Sequence, residues 1–420
     1  MTSQRRTSAT LPVHPFPARM APSLVLTKLP RADNSILRVL DPMAGSGTTL
    51  RMARARGHEV IGFDLDPLAV LISRAWCIDI SSDSVLKAAG RVLNSAKLLA
   101  ARTPLRNAYP SHGDAEDKAF VRYWFDPTSR RQLKALSESI QRVKNAHIQT
   151  VLWCAFSRLI ITKQAGASRA MDVSHSRPHR VFARAPVKPV KGFPIAVQTV
   201  LRALPSGPRR PKARVELADA RRIPVRSATI DIVITSPPYL NAIDYLRGHR
   251  LSLVWMGHHI RALRKIRATS IGTEAGRHGR LLEPFVTEAL SRMNSQVSRL
   301  SARTRGILER YVYDMDLVVR EISRVLRVKG KAVIVVGDST VGGSYLQNSR
   351  AISFLALSRG LRVVSIRRRL LPGNRRYLPP PDSTTAGKQL RSRMTEEVIL
   401  TLEKPRTPRP MHRAAKTRVS

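Results

Sequence analysis

The sequence predicts an α/β protein built on a doubly wound, mainly parallel sheet, and three observations carry that expectation. A short apolar run, Ile36 to Leu40, passes through the turn Asp41-Pro42-Met43-Ala44-Gly45-Ser46-Gly47 into a stretch of helical apolar spacing. A second run, Glu59 to Phe63, ends at Asp64-Leu65-Asp66-Pro67 and leads into another helix. Far downstream, the buried-strand pattern Ile230 to Thr235 (IDIVIT) runs directly into Ser236-Pro237-Pro238-Tyr239.

In chain order, residues 1–14 are polar and basic, and disorder is expected there. After the first strand, Thr48 to Gly57 carries Leu50 and Met52 at helical spacing and stops at Gly57. Pro67 opens the helix that runs to about Trp76, its fixed φ suiting a first turn. From about 80 to 213 the pattern changes: helices are expected at 84–102, 129–146 and 148–163, and then 165–213 is rich in Arg, Lys and Pro and lacks periodicity. This reads as a mainly helical, basic insertion into the sheet domain. Strands resume at Arg214 to Leu217 and Ile230 to Thr235, and 241–305 is mostly helical and basic. An amphipathic helix at about 306–326 leads through Gly330 to the strand Ala332 to Val336. A helix near 349–358 precedes two more strands, Leu361 to Ile366 and Glu397 to Leu402, separated by a Pro- and Arg-rich loop. The division expected is therefore 15–79 and 214–403 as two halves of one sheet domain, 80–213 as the insertion, and a disordered basic tail at 404–420.

Charge is the strongest feature of the composition: 73 Lys plus Arg against 29 Asp plus Glu gives +44. Such an excess repels itself unless a polyanion is a normal partner, and nucleic acid is the obvious one. Part of it reflects a general preference for Arg throughout the chain. No run of eighteen apolar residues appears and the N-terminus lacks an apolar targeting core, so a cytoplasmic protein without a membrane partner is expected. Cys77 and Cys154 are far apart and lack metal spacing, so neither a disulfide framework nor a zinc site is expected and no metal ligand is assigned.

The chemistry-bearing residues sit at strand ends. In the turn Asp41 to Thr49, glycines at 45 and 47 would let backbone approach a ligand that a Cβ would block, with the N–H groups of the next helix facing it. Asp64, at the end of the second strand, is positioned to accept from two ribose hydroxyls, although helix capping competes and Asp66 is a candidate for that role. Asp219, ending the next strand of the sheet, is positioned to contact the amine of an adenine ring. Ribose and base without a phosphate-binding GxxxxGK[ST] signature suggest a nucleoside cofactor such as S-adenosylmethionine. In Ser236-Pro237-Pro238-Tyr239 two prolines fix φ and remove N–H donors, which leaves rigid carbonyls free to accept. The Ser236 oxygen and the Pro237 carbonyl, both accepting from an exocyclic amine, would draw its nitrogen toward tetrahedral geometry and expose its lone pair, while Tyr239 supplies a face for a flipped base.

These residues resemble the amino-methyltransferase family of DNA modification enzymes, whose motifs DPFxGSGTT and [DNS]PP[YFW] match DPMAGSGTT at 41–49 and SPPY at 236–239. The resemblance covers roughly 15–78, 214–246 and, more loosely, 306–403. It implies a Rossmann-like S-adenosylmethionine-dependent methyltransferase fold, with a seven-stranded, mostly parallel sheet closed by an antiparallel hairpin. It also implies that Phe16 and Arg19, in the segment before the first strand, line the cofactor's methionine end, and that Asp41, Pro42, Ala44, Gly45, Ser46, Gly47, Thr48, Thr49, Asp64 and Asp219 hold the cofactor. Ser at the first catalytic position resembles the cytosine-N(4) enzymes; Asp there is usual for the adenine-N(6) enzymes. Met43 departs from the commoner Phe, and the insertion at 80–213 is unusual in position.

The function expected is therefore site-specific methylation of cytosine N(4) in DNA, in a restriction-modification or phage setting where a cognate restriction endonuclease would be a partner. An adenine-N(6) DNA methyltransferase and an RNA guanine-amine methyltransferase of the same fold remain alternatives, as does a non-enzymatic nucleic-acid-binding relative. A cytosine-C5 enzyme is disfavoured because Cys77 and Cys154 each follow Trp and not Pro. Asn241, Tyr245 and Arg247, after the catalytic motif, and Arg177 and Arg180, in the insertion, are candidate nucleic-acid contacts. Either 80–213 or 245–305 could read the target.

Overall fold

Four residues suffice for the central strand β1 (Arg38–Asp41) because both its faces are covered, as is usual for parallel strands. Val39 enters one apolar core with helices α1 (Pro22–Lys28) and α2 (Thr48–Ala55), and Leu40 enters the opposite one. The other strands are β2 (Glu59–Asp64), β3 (Ala213–Leu217), β4 (Ile230–Thr235), β5 (Leu326–Val336), β6 (Arg362–Leu370) and β7 (Glu396–Glu403). This computed structural model describes residues 12–16, 19–33, 35–173, 178–205, 210–240, 245–272, 284–294, 297–341, 344–371 and 396–406.

The seven strands form one sheet in the order β6-β7-β5-β4-β1-β2-β3. The pairs among β1 to β5 are parallel, and β7 runs antiparallel to both β5 and β6. This is the Rossmann-like fold with a terminal antiparallel hairpin, and each strand overlaps the run from which the sequence predicts it. Connections from β1 wind one way through β2 to β3 and the other way through β4 to β5. The carboxyl ends of β1 and β4 therefore flank the topological switch point, where ligands of such sheets bind. Helices α11 (Pro284–Met293), α12 (Ala302–Val325) and α13 (Asn348–Ser358) cover the Leu40 face.

The remaining helices are α3 (Pro67–Trp76), α4 (Ser82–Arg102), α5 (Ala115–Trp124), α6 (Pro127–Gln141), α7 (Ala146–Ile160), α8 (Pro189–Ala203), α9 (Tyr245–Leu253) and α10 (Ile260–Thr269). The sequence does not anticipate α8. Within a Pro- and Lys-rich stretch, Phe193, Ala196, Val197, Val200 and Ala203 still bury one face, and Pro194 inside the helix removes one of its N–H donors. The helices of the insertion have no core of their own; they share one with α3, α9, Trp255 and α10. Of the two regions between which the sequence leaves target reading undecided, 80–213 and the first part of 245–305, through α10, thus form one packed body, whereas α11 packs on the Leu40 face of the sheet.

Two expectations of disorder need correction. Val13 and His14 are buried on α7, where His14 Nε2 hydrogen bonds the Ser157 hydroxyl at 2.9 Å and Arg158 donates to the Val13 carbonyl at 2.9 Å. Residues 1–11 lie outside the described residues. At the other end Lys404 exchanges backbone bonds with Lys329 and Gly330, and its ammonium caps the carbonyls of Ser323 and Leu326; residues 407–420 lie outside the described residues.

Candidate active site

The turn after β1 is built on Asp41, buried beneath it. Asp41 Oδ1 accepts from the Thr235 hydroxyl at 2.7 Å and from the Met43 amide at 3.2 Å, while burial pushes the carboxyl up to about 6. Its carboxylate therefore ties the glycine turn to the end of β4, beneath the site and not within it. Thr49 makes a second tie, its hydroxyl donating to the Ile234 carbonyl at 3.3 Å. Above them the backbone is pulled tight: the Ala44 amide donates to the Phe63 carbonyl, and the indole of Trp76 donates to the Ser46 carbonyl at 2.9 Å. The Ser46 and Thr48 hydroxyls lie 3.2 Å apart, and Pro42 is buried.

Gly45 and Gly47 have φ of +50° and +74°, a region an L side chain enters only with strain. A Cβ on Gly47 would also stand 2.9 Å from both Ser73 and Trp76. Because Gly47 caps α2 and has no side chain, no cap bond is made to the first-turn amides of that helix. Phe16 is buried against Gly45, with its ring 5.2 Å from that of His249; Arg19 is exposed.

Asp64 ends β2 beside this turn. Its two oxygens accept from the Gly45 amide at 2.8 Å and the Asp66 amide at 2.9 Å, and burial, with the nearby Asp66, pushes its carboxyl up to about 7. Asp66, not Asp64, caps α3, by accepting from the Leu68 amide at 2.9 Å. Its second oxygen meets Nδ1 of the buried His249 at 2.5 Å, which anchors α9 to the cofactor turn. Asp219, the expected contact of an adenine amine, is already engaged by an arginine. It lies two residues past β3 and forms a bidentate pair with Arg221, at 3.0 and 2.7 Å, and Arg221 in turn donates to Asp314 at 2.8 Å.

Parallel pairing of Val39 with Ile232 and of Leu40 with Val233 sets Ser236-Pro237-Pro238-Tyr239 next to the glycine turn. Ser236 donates to the Val335 carbonyl of β5 at 3.1 Å, and the Tyr239 hydroxyl stands 3.4 Å from its oxygen. Tyr239 donates to Glu397 on β7 at 3.2 Å, so its ring is tethered by its hydroxyl to the antiparallel hairpin. Pro237 is buried and Pro238 half-buried. Asn241 and Arg177 lie outside the described residues, as does the Tyr245 side chain; Tyr245 itself starts α9. Arg247 is half-buried on α9, and Arg180 covers the exposed ring of Tyr123 at 5.1 Å within the insertion. Sequence reasoning misses Thr235, Trp76 and His249, because each acts through a partner distant along the chain that no local pattern reveals.

No family model matches the chain. It is 24% identical to the Type II methyltransferase M.MvaI of Kocuria varians over 415 residues, 93% of this chain and 90% of that protein. Among solved structures, a SAM-dependent methyltransferase of Methanosarcina mazei aligns at 8% identity over 92% of this chain and 99% of its own, with a TM-score of 0.32. A TehB-like SAM-dependent methyltransferase of Corynebacterium glutamicum aligns at 10% identity over 91% and 86%, with a TM-score of 0.29.

Proposed function

We propose that the protein is an S-adenosylmethionine-dependent DNA methyltransferase that modifies the N(4) amine of cytosine. The observation that carries this reading is the coupling of two motifs, nearly 200 positions apart, at the switch point of the sheet: Asp41 to Thr235 and Thr49 to the Ile234 carbonyl. The likeness to a Type II methyltransferase along nearly the whole chain supports it.

The residues present fit the cofactor. The positive-φ glycine turn gives close backbone approach, Phe16 provides an apolar wall, and Asp64 in its ionised form is an acceptor suited to paired ribose hydroxyls. When bound, the cofactor supplies an electrophilic methyl on a sulfonium. The chain's part is to prepare the amine. The Ser236 proton is engaged by the Val335 carbonyl, so the oxygen presents its lone pairs, and Pro237 contributes a carbonyl from rigid backbone. Accepting both amine protons, these two groups localise the nitrogen lone pair and aim it at the methyl. Tyr239, held by Glu397, offers its face to a base swung out of the duplex. The product nitrogen, cationic and strongly acidic, loses its proton to solvent.

The insertion and residues 245–269, sharing one core, act in this reading as a single recognition lobe. Burial of Ile260 and Leu263 leaves Lys265 of α10 exposed toward phosphates, while Arg261 and Arg264 face Asp114 and Glu116 at the start of α5. Ser236→Ala should lower turnover by about 10²- to 10³-fold, the usual effect of removing one electrostatic contact to the reacting group, with cofactor affinity retained. Asp64→Ala should instead weaken cofactor binding. Equal loss of cofactor binding in the two variants, measured by calorimetry, would contradict both assignments.

A further inference from the structure

We propose that His112, Asp117 and His259 form a binding site for a divalent transition metal of the zinc class, which fastens the insertion to α10. His112 lies in the loop before α5, Asp117 is the third residue of that helix, and His259 caps α10 from 142 positions further along the chain. One ligand-capable atom from each comes within 4.8 Å of the other two. Zinc bonds of about 2.0–2.2 Å to imidazole and carboxylate require a tighter cluster, so a small inward movement of the His112 ring completes it.

Asp117 is wholly buried. One of its oxygens takes Nδ1 of His259 at 2.7 Å and the other takes the Ile260 amide at 2.8 Å. Nε2 of His112 is buried and has no hydrogen-bond partner among the described residues, a state that is costly unless something binds it. The two imidazoles stand nearly perpendicular, with centroids 5.0 Å apart. Asp114 Oδ2, 3.7 Å from Nδ1 of His259, offers a fourth ligand.

Asp114 and Glu116, beside Asp117, already meet Arg261 and Arg264 of α10, so it is the ligand types that point to a metal: two imidazoles with carboxylates are the donor set of zinc and its neighbours. Coordination through Nδ1 of His259 leaves the neutral ring with its proton on Nε2, any proton on Nδ1 being exchanged through solvent, and the hydrogen bond between His259 and Asp117 is replaced by two bonds to one ion. The occupied site would set the angle of the cationic α10 against the insertion.

The test uses full-length protein without a histidine tag, stripped by chelator, incubated with Zn2+ and desalted. A single retained equivalent of zinc and a raised unfolding temperature are expected. His112→Ala, which leaves both helix caps in place, should lose the temperature shift and bind zinc at least about tenfold more weakly. Zinc retention that is absent, or equal in His112→Ala, overturns the site. Should that variant fail to fold, Co2+ added to the wild-type protein decides: visible absorption bands of cobalt in a low-coordinate site, displaced by zinc, are expected, and their absence overturns the proposal.

Discussion

Asp64 answers to two demands: its oxygens hold the Gly45 and Asp66 amides, and burial pushes its carboxyl up to about 7. A protonated carboxyl is a donor at one oxygen and serves paired ribose hydroxyls poorly. Affinity for S-adenosylmethionine should therefore rise from about pH 6 to about pH 8 and level off above, and Asp64→Asn should bind weakly without that rise; calorimetric titration across pH checks both. Because the folded carboxyl keeps until about pH 7 a proton that the unfolded chain releases near pH 4, Asp64 lowers the stability of the cofactor-free protein as pH climbs from about 4 to about 7, with no further loss above. At this scale the glycines, Asp64 and Ser236 are legible in the sequence because each stands at a strand end within a short contiguous motif. Thr235 could not be read, since its partner Asp41 is brought to it only by the pairing of β1 with β4. The metal cluster was equally hidden: a search for cysteine spacing cannot find two histidines and an aspartate joined across the fold.

Elements follow the same logic. β4 and α3 are bounded as the sequence predicts, because Pro67 opens α3 and the apolar pattern of β4 stops at Ser236-Pro237. Helices α5 and α8 are not legible: α5 is short and mixed in polarity, and the apolar face of α8 is interleaved with Lys and Pro. The joint between the insertion and the segment following the catalytic motif centres on Trp255. It is buried, meets the Phe125 ring edge-on at 5.4 Å, and accepts the Ser137 hydroxyl at its carbonyl at 2.6 Å. Trp255→Ala should lower unfolding free energy by about 3–5 kcal/mol in urea titration. A loss below about 1 kcal/mol would mean the two regions are not mutually supported.

For the whole molecule, the excess of 73 Lys and Arg over 29 acids predicts binding governed by counterion release. A plot of log affinity for duplex DNA against log salt should have a slope steeper than about −5, as several neutralised phosphates require, and a shallow slope would remove the recognition lobe from the account. Charge was legible from composition, but its placement was not, because which cations share a surface depends on how the insertion packs against α9 and α10. The measurement that bears most directly on the central claim is expression in a host that does not methylate its own DNA, followed by digestion to nucleosides and mass spectrometry. N(4)-methylcytosine in the DNA of cells carrying the wild-type protein, absent with Ser236→Ala, is the predicted result. N(6)-methyladenine would preserve the mechanism and contradict the base, and unmodified DNA alongside purified protein that binds S-adenosylmethionine would contradict the DNA substrate.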